Sequence, residues 1–348
     1  MCHIYIGVVG QRFIQALENH PCLKVVALAA SERSAGKTYK DAVSWRLQTP
    51  LPSAVQDIKV TECTVEGLGD VDVVFSALDS GPAKVIEPLL NAAGIPVFSN
   101  ASAHRMVSNV PILIPDVNAE QLEVVKQQEH FAKGGYTITN ANCSTTGLTI
   151  ALEPIRRKFG IEKVSVSTLQ ALSGAGIPGV SSLDAIDNVV PYIGGEEEKM
   201  ETEAAKIFGS VGTDGIVFDP SIVVSASCNR VPVIDGHLEC ISFSTKDPNV
   251  TVAQIKDALR EFKSPVQIEE LPSGPEAPIH LFESEADENR PQPRLDRDNG
   301  NGYTVSVGRV RECNLFQFKM VALSHNTVIG AAGGSLLNAE LAIAKGLL

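Results

Sequence analysis

The sequence predicts an α/β protein with two domains: a parallel sheet with crossover helices, then an α+β domain with a mixed sheet. Over the first 140 residues, short β-branched runs alternate with helical patterns, as is typical of a parallel sheet. After Cys143 the predicted strands are longer and include pairs joined by short turns, which favours antiparallel or mixed pairing. The 348 residues, 44% of them hydrophobic, suffice for two cores of ordinary size.

The first domain is predicted from its apolar runs. Residues 71–75 are almost continuously apolar, as expected for a parallel strand buried on both faces. In residues 118–133, Leu122, Val125 and Phe131 stand among charged residues, which predicts an amphipathic helix. The predicted strands are 23–29, 71–77, 96–99, 112–114 and 136–139, and the predicted helices are 11–19, 82–93 and 118–133.

The second domain is predicted to open with a helix over residues 145–158. Short turns at 234–236 and 312–314 predict two hairpins, and residues 284–301, rich in Asp, Glu, Pro and Arg, predict an exposed loop. A final amphipathic helix at 334–347 is expected to pack back on the first domain. The predicted strands are 163–172, 221–227, 237–245, 302–310 and 315–323.

The charge balance argues against two classes of binding partner. With 29 Lys and Arg against 41 Asp and Glu, the net charge of −12 predicts no nucleic-acid partner and no binding to anionic membranes. The seven cysteines are scattered, with no CxxC pair and no metal-like spacing, which predicts reduced thiols and no metal site. No apolar run is long enough to span a bilayer and no secretory leader is visible, so we expect a cytoplasmic protein.

Cys143 is the first candidate functional residue. It stands in Asn-Cys-Ser-Thr-Thr-Gly (142–147), between a predicted strand and a predicted helix. The unpaired N–H groups and dipole of a helix N-terminus favour a thiolate and could stabilise an oxyanion. The alternative is a small buried thiol at a strand end, which is commoner for an isolated cysteine. The small, helix-capping neighbours of Cys143 favour a nucleophile.

Arg230 and His237 flank a predicted turn. Arginine suits bidentate binding of a carboxylate, and histidine titrates where a general acid/base must. Alone, His237 would more commonly be an ordinary half-buried histidine. The loop 173–179, rich in glycine, follows a strand that ends at Gln170 and would permit a flat ligand to approach its backbone, although surface turns look similar.

Two segments indicate a nucleotide site. Gly7-Val8-Val9-Gly10 opens a predicted helix, but it is only half of the usual dinucleotide fingerprint. After the second strand, Ser31-Glu32-Arg33-Ser34 offers both an acidic residue, which suits the free ribose of NAD, and Ser and Arg, which suit the 2′-phosphate of NADP. The hydroxyls and the arginine favour NADP. The alternative for this segment is a solvated loop.

Taken in chain order, these motifs resemble the aspartate-β-semialdehyde dehydrogenases, in particular their archaeal and fungal branch. The resemblance runs through 142–147, Gln-Ala-Leu-Ser-Gly-Ala-Gly (170–176), Glu-Glu-Glu-Lys (196–199), Arg230-x6-His237 and Asn-Thr-Val-Ile-Gly-Ala-Ala-Gly-Gly (326–334). It implies a Rossmann-type NADP-binding domain, residues 1–142 plus 326–348, and a catalytic and dimerisation domain, residues 143–325. It also implies reversible, NADP-dependent conversion of L-4-aspartyl phosphate to L-aspartate 4-semialdehyde and phosphate, in threonine, methionine and lysine biosynthesis, by a homodimer or homotetramer.

The resemblance also implies roles for individual residues. Cys143 would be the nucleophile, His237 the acid/base, and Gln170 would orient the intermediate. Arg230 would hold the substrate α-carboxylate and Glu196 its amino group, and the phosphate site would comprise Asn142, Arg105 and Lys199. The cofactor residues would be Gly7, Val8, Val9, Gly10, Ser31, Arg33, Ser34, Ser76, Leu78, Ser173, Gly174 and Asn326.

The match departs from the family at its start. Ile4 to Gly10 replaces the family's Gly-Ala-Thr-Gly-x-Val-Gly loop, and only three residues precede it. The sequence therefore predicts a truncated first strand and weakened NADP binding, since bulky side chains stand where backbone approaches phosphate. Two alternatives stay open: an N-acetyl-γ-glutamyl-phosphate reductase, and a non-catalytic relative with impaired cofactor binding.

Overall fold

The structure is a computed structural model, which describes residues 7–348. Within this range, no helix is both long and apolar enough to cross a bilayer. The predicted first strand and the residues Ile4 to Ile6 lie outside the described residues, so truncation there stays a prediction.

The first half of the chain forms two small parallel sheets. β1 pairs with β2, and β3, β4 and β5 form a second sheet in that order. Phe13, Phe75, Phe98 and Tyr136 stack in sequence through its core, with ring centroids 5.0 to 6.3 Å apart. The strands are β1 Leu28–Ala30, β2 Val60–Glu62, β3 Val74–Ser76, β4 Val97–Ser99 and β5 Thr137–Thr139. The helices are α1 Val8–Leu17, α2 Tyr39–Ala42, α3 Ser53–Gln56, α4 Val65–Leu68, α5 Ser80–Ala92 and α6 Pro115–Asn118.

Two of the elements predicted for this half are wrong, and the predicted strand 23–29 is observed only at its end, as β1. Residues 112–114 do not form a strand but contribute one isolated bridge, Ile112 to Thr139. Residues 118–133 form two 3₁₀ segments, Ala119–Gln127 and Phe131–Lys133, instead of one α-helix. The burial of Leu122 and Val125 explains the helical pattern in the sequence, because both helix types bury one face.

The second half is built on a six-stranded mixed sheet of order β11-β12-β13-β10-β6-β9. The hairpin predicted at 312–314 is confirmed by antiparallel β12 and β13. The hairpin predicted at 234–236 is wrong, because β6 lies between β9 and β10, parallel to the first and antiparallel to the second. The strands are β6 Lys163–Gln170, β7 Ser210–Gly212, β8 Gly215–Val217, β9 Val223–Arg230, β10 His237–Ser244, β11 Ile279–Leu281, β12 Val305–Glu312 and β13 Phe318–Ser324.

Helices cover one face of this sheet. The helix that carries Cys143 packs on β10 and β13, and the helix at 196–207, which the sequence analysis did not predict, packs on β9. The helices are α7 Cys143–Phe159, α8 Ser182–Ala185, α9 Glu196–Ile207, α10 Val252–Arg260, α11 Pro265–Ile268, α12 Pro293–Asp296 and α13 Gly333–Ala344.

The last helix lies against the first domain's elements. α13 contacts α1, β4 and α6, as expected. It is not amphipathic: nine of its residues, including Asn338 and Glu340, are buried. Residues 284–301 are more structured than the predicted loop, since they hold α12 and an ion pair between Arg290 and the buried Asp296. The domain boundaries at 142/143 and 325/326 stay predictions.

The aromatic stack allows the packing of the first domain's core to be tested. Phe75 is fully buried between Phe13 and Phe98, so Phe75→Ala should lower the free energy of unfolding by about 3–5 kcal/mol through lost burial and a cavity. Denaturant titration of the two proteins measures the change. Leu315→Ala, at an 89% exposed position, is the control and should change it by less than about 0.5 kcal/mol. Equal losses in the two variants would contradict the packing described.

Candidate active site

A cleft of about 740 Å³ lies between the N-terminus of α1 and the N-terminus of α7. One side is formed by Gly7 to Gly10 and the other by Cys143 and the loop 173–177. Cys143 follows β5 after three intervening residues and opens α7, as predicted for the strand–helix junction. Because α7 then packs on the second sheet, its first residue stands where the two halves of the chain meet.

Cys143 and His237 are in contact. The Sγ atom of Cys143 lies 3.2 Å from Nε2 of His237, the first residue of β10. His237 is fully buried, whereas Cys143 is partly exposed on the cleft. A buried imidazole beside a thiol that faces a cleft is the arrangement that cysteine nucleophiles use.

Backbone groups hold the other side of His237. The N–H of Ala171 donates to its Nδ1 at 3.0 Å, and the carbonyl of Ala171 accepts from Nη1 of Arg230 at 2.7 Å. A Cβ atom on Gly174 would meet Nη1 of Arg230 at 2.8 Å and the imidazole of His237 at 3.2 Å, so a side chain there would displace one or both of them. Gly330 is equally constrained, since its Cβ would lie 3.0 Å from that of Cys143.

The N-terminus of α7 is less open than the sequence analysis predicted. The side-chain oxygen of Asn142 accepts from the N–H groups of Ser144 and Thr145, at 3.0 and 3.2 Å. Those two donors are therefore engaged by the helix cap and are not free for an oxyanion. The helix still favours negative charge at Cys143 through its dipole.

Helix α9 supplies a row of charged side chains to the cleft. Lys199 Nζ donates to Glu196 at 2.8 Å, and Asn142 Nδ2 donates to the other oxygen of Glu196 at 2.7 Å. One turn further, Glu203 pairs with Arg105 at 2.9 Å and accepts from the backbone N–H of Asn142 at 2.6 Å. The structure thus brings together the predicted phosphate residues Arg105, Lys199 and Asn142.

Glu203 was missed by sequence reasoning. It lies seven residues after Glu196, on the same face of a helix, and this spacing is the signal that could have identified it. Gln170 lies beside this group, with its amide donating to Thr168 at 3.3 Å and lying 3.5 Å from Glu196.

Most of the predicted cofactor residues line the cleft. The residues that line it are Gly7, Val8, Val9, Gly10, Leu78, Ser173, Gly174 and Asn326. Asn326 joins two loops, since its Nδ2 donates to Ser173 and its Oδ1 accepts from Gly236, both at 2.8 Å. The first turn of α1 has no acidic residue and no side-chain cap, so its N–H groups suit a phosphate.

Four predicted cofactor residues lie away from the walls of the cleft. Ser76 is buried at the end of β3. Ser31, Arg33 and Ser34 follow β1, where Ser31 and Arg33 are exposed. Within residues 7–348, no group of three or more His, Cys, Asp or Glu could hold a metal ion.

Comparisons with known proteins identify the family. The model for "Semialdehyde dehydrogenase, NAD binding domain" matches residues 6–125, and that for "Semialdehyde dehydrogenase, dimerisation domain" matches residues 152–329. The aspartate-semialdehyde dehydrogenase of Candida albicans is 49% identical over 98% of this chain and 97% of its own length. That of Methanothermobacter thermautotrophicus is 47% identical over 96% of both chains. The chain belongs to the aspartate-semialdehyde dehydrogenase family.

Solved structures agree with this assignment. The Candida albicans aspartate-semialdehyde dehydrogenase with NADP has a TM-score of 0.92 and 46% identity, and covers 100% of this chain and 99% of that one. The Vibrio cholerae enzyme II complexed with ASA has a TM-score of 0.77 and 27% identity, over 98% and 97%. The predictions of fold class, family and a nicotinamide-dependent dehydrogenase are confirmed, and these matches do not support a reductase for N-acetyl-γ-glutamyl phosphate.

In this member of the family, burial is the largest influence on the pKa values of Cys143 and His237. Desolvation, with a smaller effect of Glu196, raises the pKa of Cys143 to about 12 against the opposing charges of Arg105 and Arg230. Burial and then Arg230 lower the pKa of His237 to about 3. Without ligands, both groups are therefore neutral near pH 7.

The raised pKa predicts how Cys143 reacts without ligands. Only the thiolate is alkylated, so the rate of its reaction with iodoacetamide should rise by about tenfold per pH unit from pH 7 to 9. Mass spectrometry of the Cys143 peptide measures it. Cys313 is the control within the same chain, because backbone N–H groups of Phe316 and Leu315 lower its pKa and its rate should level off earlier. A rate at Cys143 that is independent of pH over this range would contradict the prediction.

Proposed function

We propose that this chain catalyses the reversible, NADP-dependent reductive dephosphorylation of L-4-aspartyl phosphate to L-aspartate 4-semialdehyde, through a thioester on Cys143. The observation that carries the proposal is the 3.2 Å contact between Cys143 and His237, at a cleft that also includes the N-terminus of α1. A nucleophile and a dinucleotide site in one cleft are what this reaction requires.

The residues present fit NADP. The N-terminal turn of α1 would receive the pyrophosphate, and Ser173, Gly174 and Asn326 would hold the nicotinamide side. Ser31, Arg33 and Ser34 follow β1 and would bind the 2′-phosphate, with Ser76 and Leu78 at the end of β3. The bound cofactor supplies the hydride that reduces the thioester.

The charged groups of the cleft would position the acyl phosphate. Arg105 and Lys199, with Asn142, would bind the phosphate group that leaves when Cys143 attacks. Arg230 would hold the α-carboxylate, and Gln170, whose amide lies 3.5 Å from Glu196, would orient the thioester. His237 would serve as the acid/base group at the oxygen of the hemithioacetal.

Glu196 favours a substrate with a free amino group. Its hydrogen bonds and ion pair with Lys199 offset desolvation and lower its pKa, so this carboxylate is charged and can bind an ammonium group. An N-acetylated substrate would offer it no charge. This is the basis for preferring aspartyl phosphate to N-acetyl-γ-glutamyl phosphate.

The enzyme would act in the cytoplasm, in the synthesis of threonine, methionine and lysine. We propose a homodimer or homotetramer formed through the second domain. The face of the large sheet opposite its helices is partly exposed and carries small residues suited to close packing, namely Ser167, Ser225, Ser227 and Cys240. The match to a dimerisation domain over residues 152–329 supports this arrangement.

Replacing the nucleophile tests the proposed reaction. Cys143→Ser should lower kcat for phosphate-dependent NADP reduction with aspartate semialdehyde by roughly 10³-fold or more, because the hydroxyl is a much weaker nucleophile. The assay follows NADPH absorbance. The control, Cys22→Ser, makes the same change at an exposed cysteine and should keep full activity. Retained activity in Cys143→Ser, or a faster reaction of the parent chain with N-acetylglutamate semialdehyde, would overturn the proposal.

Arg33 tests the choice of nucleotide. If its guanidinium binds the 2′-phosphate, Arg33→Ala should raise KM for NADP by about tenfold, the loss of one charge-assisted hydrogen bond. The KM for NAD, which has no 2′-phosphate, serves as the internal control and should stay within twofold of its original value, roughly the effect of a neutral surface change. Equal increases for both nucleotides would point to a general structural effect and contradict the role.

A further inference from the structure

Lys206, near the end of α9, is a fully buried lysine whose ammonium group is bound by three backbone carbonyls. Its Nζ donates to the carbonyls of Arg105, Val107 and Val110, at 2.5, 2.6 and 2.7 Å. Burial, opposed by the charge of Glu203, lowers the pKa of Lys206 to about 8, so the ammonium form prevails at pH 7. The three hydrogen bonds then use all the protons that this group carries.

The three carbonyls belong to the segment 104–110, which follows β4 and runs through turns and bends. Its internal hydrogen bonds join the N–H of Val107 to the carbonyl of His104 and the N–H of Val110 to that of Val107, both at 3.1 Å. A buried carbonyl without a partner is costly, and a segment of this kind has no ladder to supply partners. Because Lys206 binds carbonyls at both ends of the segment at once, it fixes the path of the backbone between them.

The end of α9 from which Lys206 projects is itself held in place. The side chain of Gln121 is fully buried, and its Nε2 lies 3.0 to 3.1 Å from three carbonyls at this end, those of Lys206, Ile207 and Gly209. The Oε1 atom of Gln121 accepts in turn from Asn118 at 2.9 Å. The end of α9 therefore cannot shift without breaking buried hydrogen bonds, and the ammonium group is presented from a fixed point.

Arg105, at the start of this segment, has one donor that the protein does not use. Its Nη1 donates to Glu203 at 2.9 Å and its Nη2 to the carbonyl of Asn100 at 3.1 Å. Its Nε is buried and has no acceptor among residues 7–348. Arg105 is only 7% exposed, yet it lines the same cleft as Cys143. A buried guanidinium with an unused donor at a cleft suits an anionic ligand.

We infer that Lys206 is a positioning residue for phosphate: it fixes the backbone of Arg105 so that the Nε–H of this arginine meets a phosphate oxygen in the cleft. The inference rests on the proposed function and adds to it a residue that does not touch the ligand. Glu203 and Lys206 lie three residues apart on α9, so the helix holds the guanidinium group with one and the backbone with the other. Within the segment 104–110 the residue that lines the cleft is Arg105, so the effect should be specific to phosphate.

Steady-state kinetics of Lys206→Met at pH 7 test this inference, because methionine keeps the apolar stem and removes the ammonium group. In phosphate-dependent NADP reduction with aspartate semialdehyde, KM for phosphate should rise by about tenfold, as for the loss of one charge-assisted hydrogen bond. The KM values for aspartate semialdehyde and NADP should stay within about twofold of their original values, roughly the effect of a neutral change. An equal rise in all three KM values would show a merely structural role and overturn the inference.

Two control variants separate the position of Lys206 from the chemistry of the substitution and from loss of stability. Lys126→Met makes the same change at an exposed lysine. Phe243→Leu loosens the buried core at the end of β10 remote from His237. Both should leave KM for phosphate unchanged. A rise in Phe243→Leu equal to that in Lys206→Met would contradict the inference, because loosening of the core alone would then account for the effect.

Lys206→Gln is measured alongside, because its amide still offers two donors to the carbonyls and its fold is less at risk. We expect a smaller rise in KM for phosphate than in Lys206→Met, and circular dichroism shows which variants are folded. An unchanged KM for phosphate in either folded variant would overturn the inference.

A double-mutant cycle with Arg105 tests whether Lys206 acts through that residue. Arg105→Lys keeps a cation beside Glu203 but removes the planar group of donors. If Lys206 acts through Arg105, Lys206→Met should raise KM for phosphate by less than about twofold in the Arg105→Lys background, since effects of coupled residues do not add. A second full increase in that background would show independent action and contradict the inference.

Titration of the complete chain with inorganic phosphate, followed by phosphorus-31 NMR, provides a readout that requires no turnover. We expect Lys206→Met to bind phosphate more weakly than the parent chain by about the same factor as the rise in KM. If phosphate binding is weakened in this way but aspartate semialdehyde is not a substrate, the proposed function fails and the role of Lys206 stands. If turnover is observed and Lys206→Met leaves KM for phosphate unchanged, the proposed function stands and the role of Lys206 is wrong.

Discussion

The contact between Cys143 and His237 depends on where one helix begins. α7 starts at Cys143, with three residues between it and the end of β5, and packs on β10 and β13 of the large sheet. The first residue of that helix therefore meets the first residue of β10. Any slip of α7 along the sheet by one turn, about 5.4 Å, would separate sulfur from nitrogen entirely. The packing of α7 on the large sheet thus determines the distance between Cys143 Sγ and His237 Nε2. The buried residues of α7 are as important to this distance as the cysteine itself.

The cations of the cleft are already paired with carboxylates, as suits a protein with a net charge of −12. Arg105 is paired with Glu203 and Lys199 with Glu196, in partly or fully buried surroundings. Leaving a buried cation without a partner would be costly, so these carboxylates stabilise the site before an anion arrives. Glu203 also accepts from the N–H of Asn142, which links Arg105 to the N-terminal cap of α7. Any anion that binds Arg105 or Lys199 would have to share these cations with the two carboxylates.

The sequence predicted local structure and chemistry well and non-local pairing poorly. The strand–helix junction at Cys143 and the hairpin of β12 and β13 depend on neighbours in the chain, and both are confirmed. The false hairpin at 234–236 arose because β6, about 60 residues earlier, inserts between β9 and β10, and no local pattern encodes such an insertion. Glu203 was missed because a helical glutamate is usually solvated, and only its distant partner Arg105 explains its burial.

Both ends of the described chain contribute to one small volume. Gly330 lies against Cys143 so closely that a Cβ there would be 3.0 Å from that of the cysteine, and Asn326 ties together the loops at 173 and 236. During synthesis on the ribosome, Cys143 emerges nearly 190 residues before Gly330 does. The nascent chain therefore carries a thiol without its covering segment for most of its translation. An incomplete translation product would contain the Cys143 thiol but lack the segment that covers it. The site can therefore form only when the polypeptide is nearly complete.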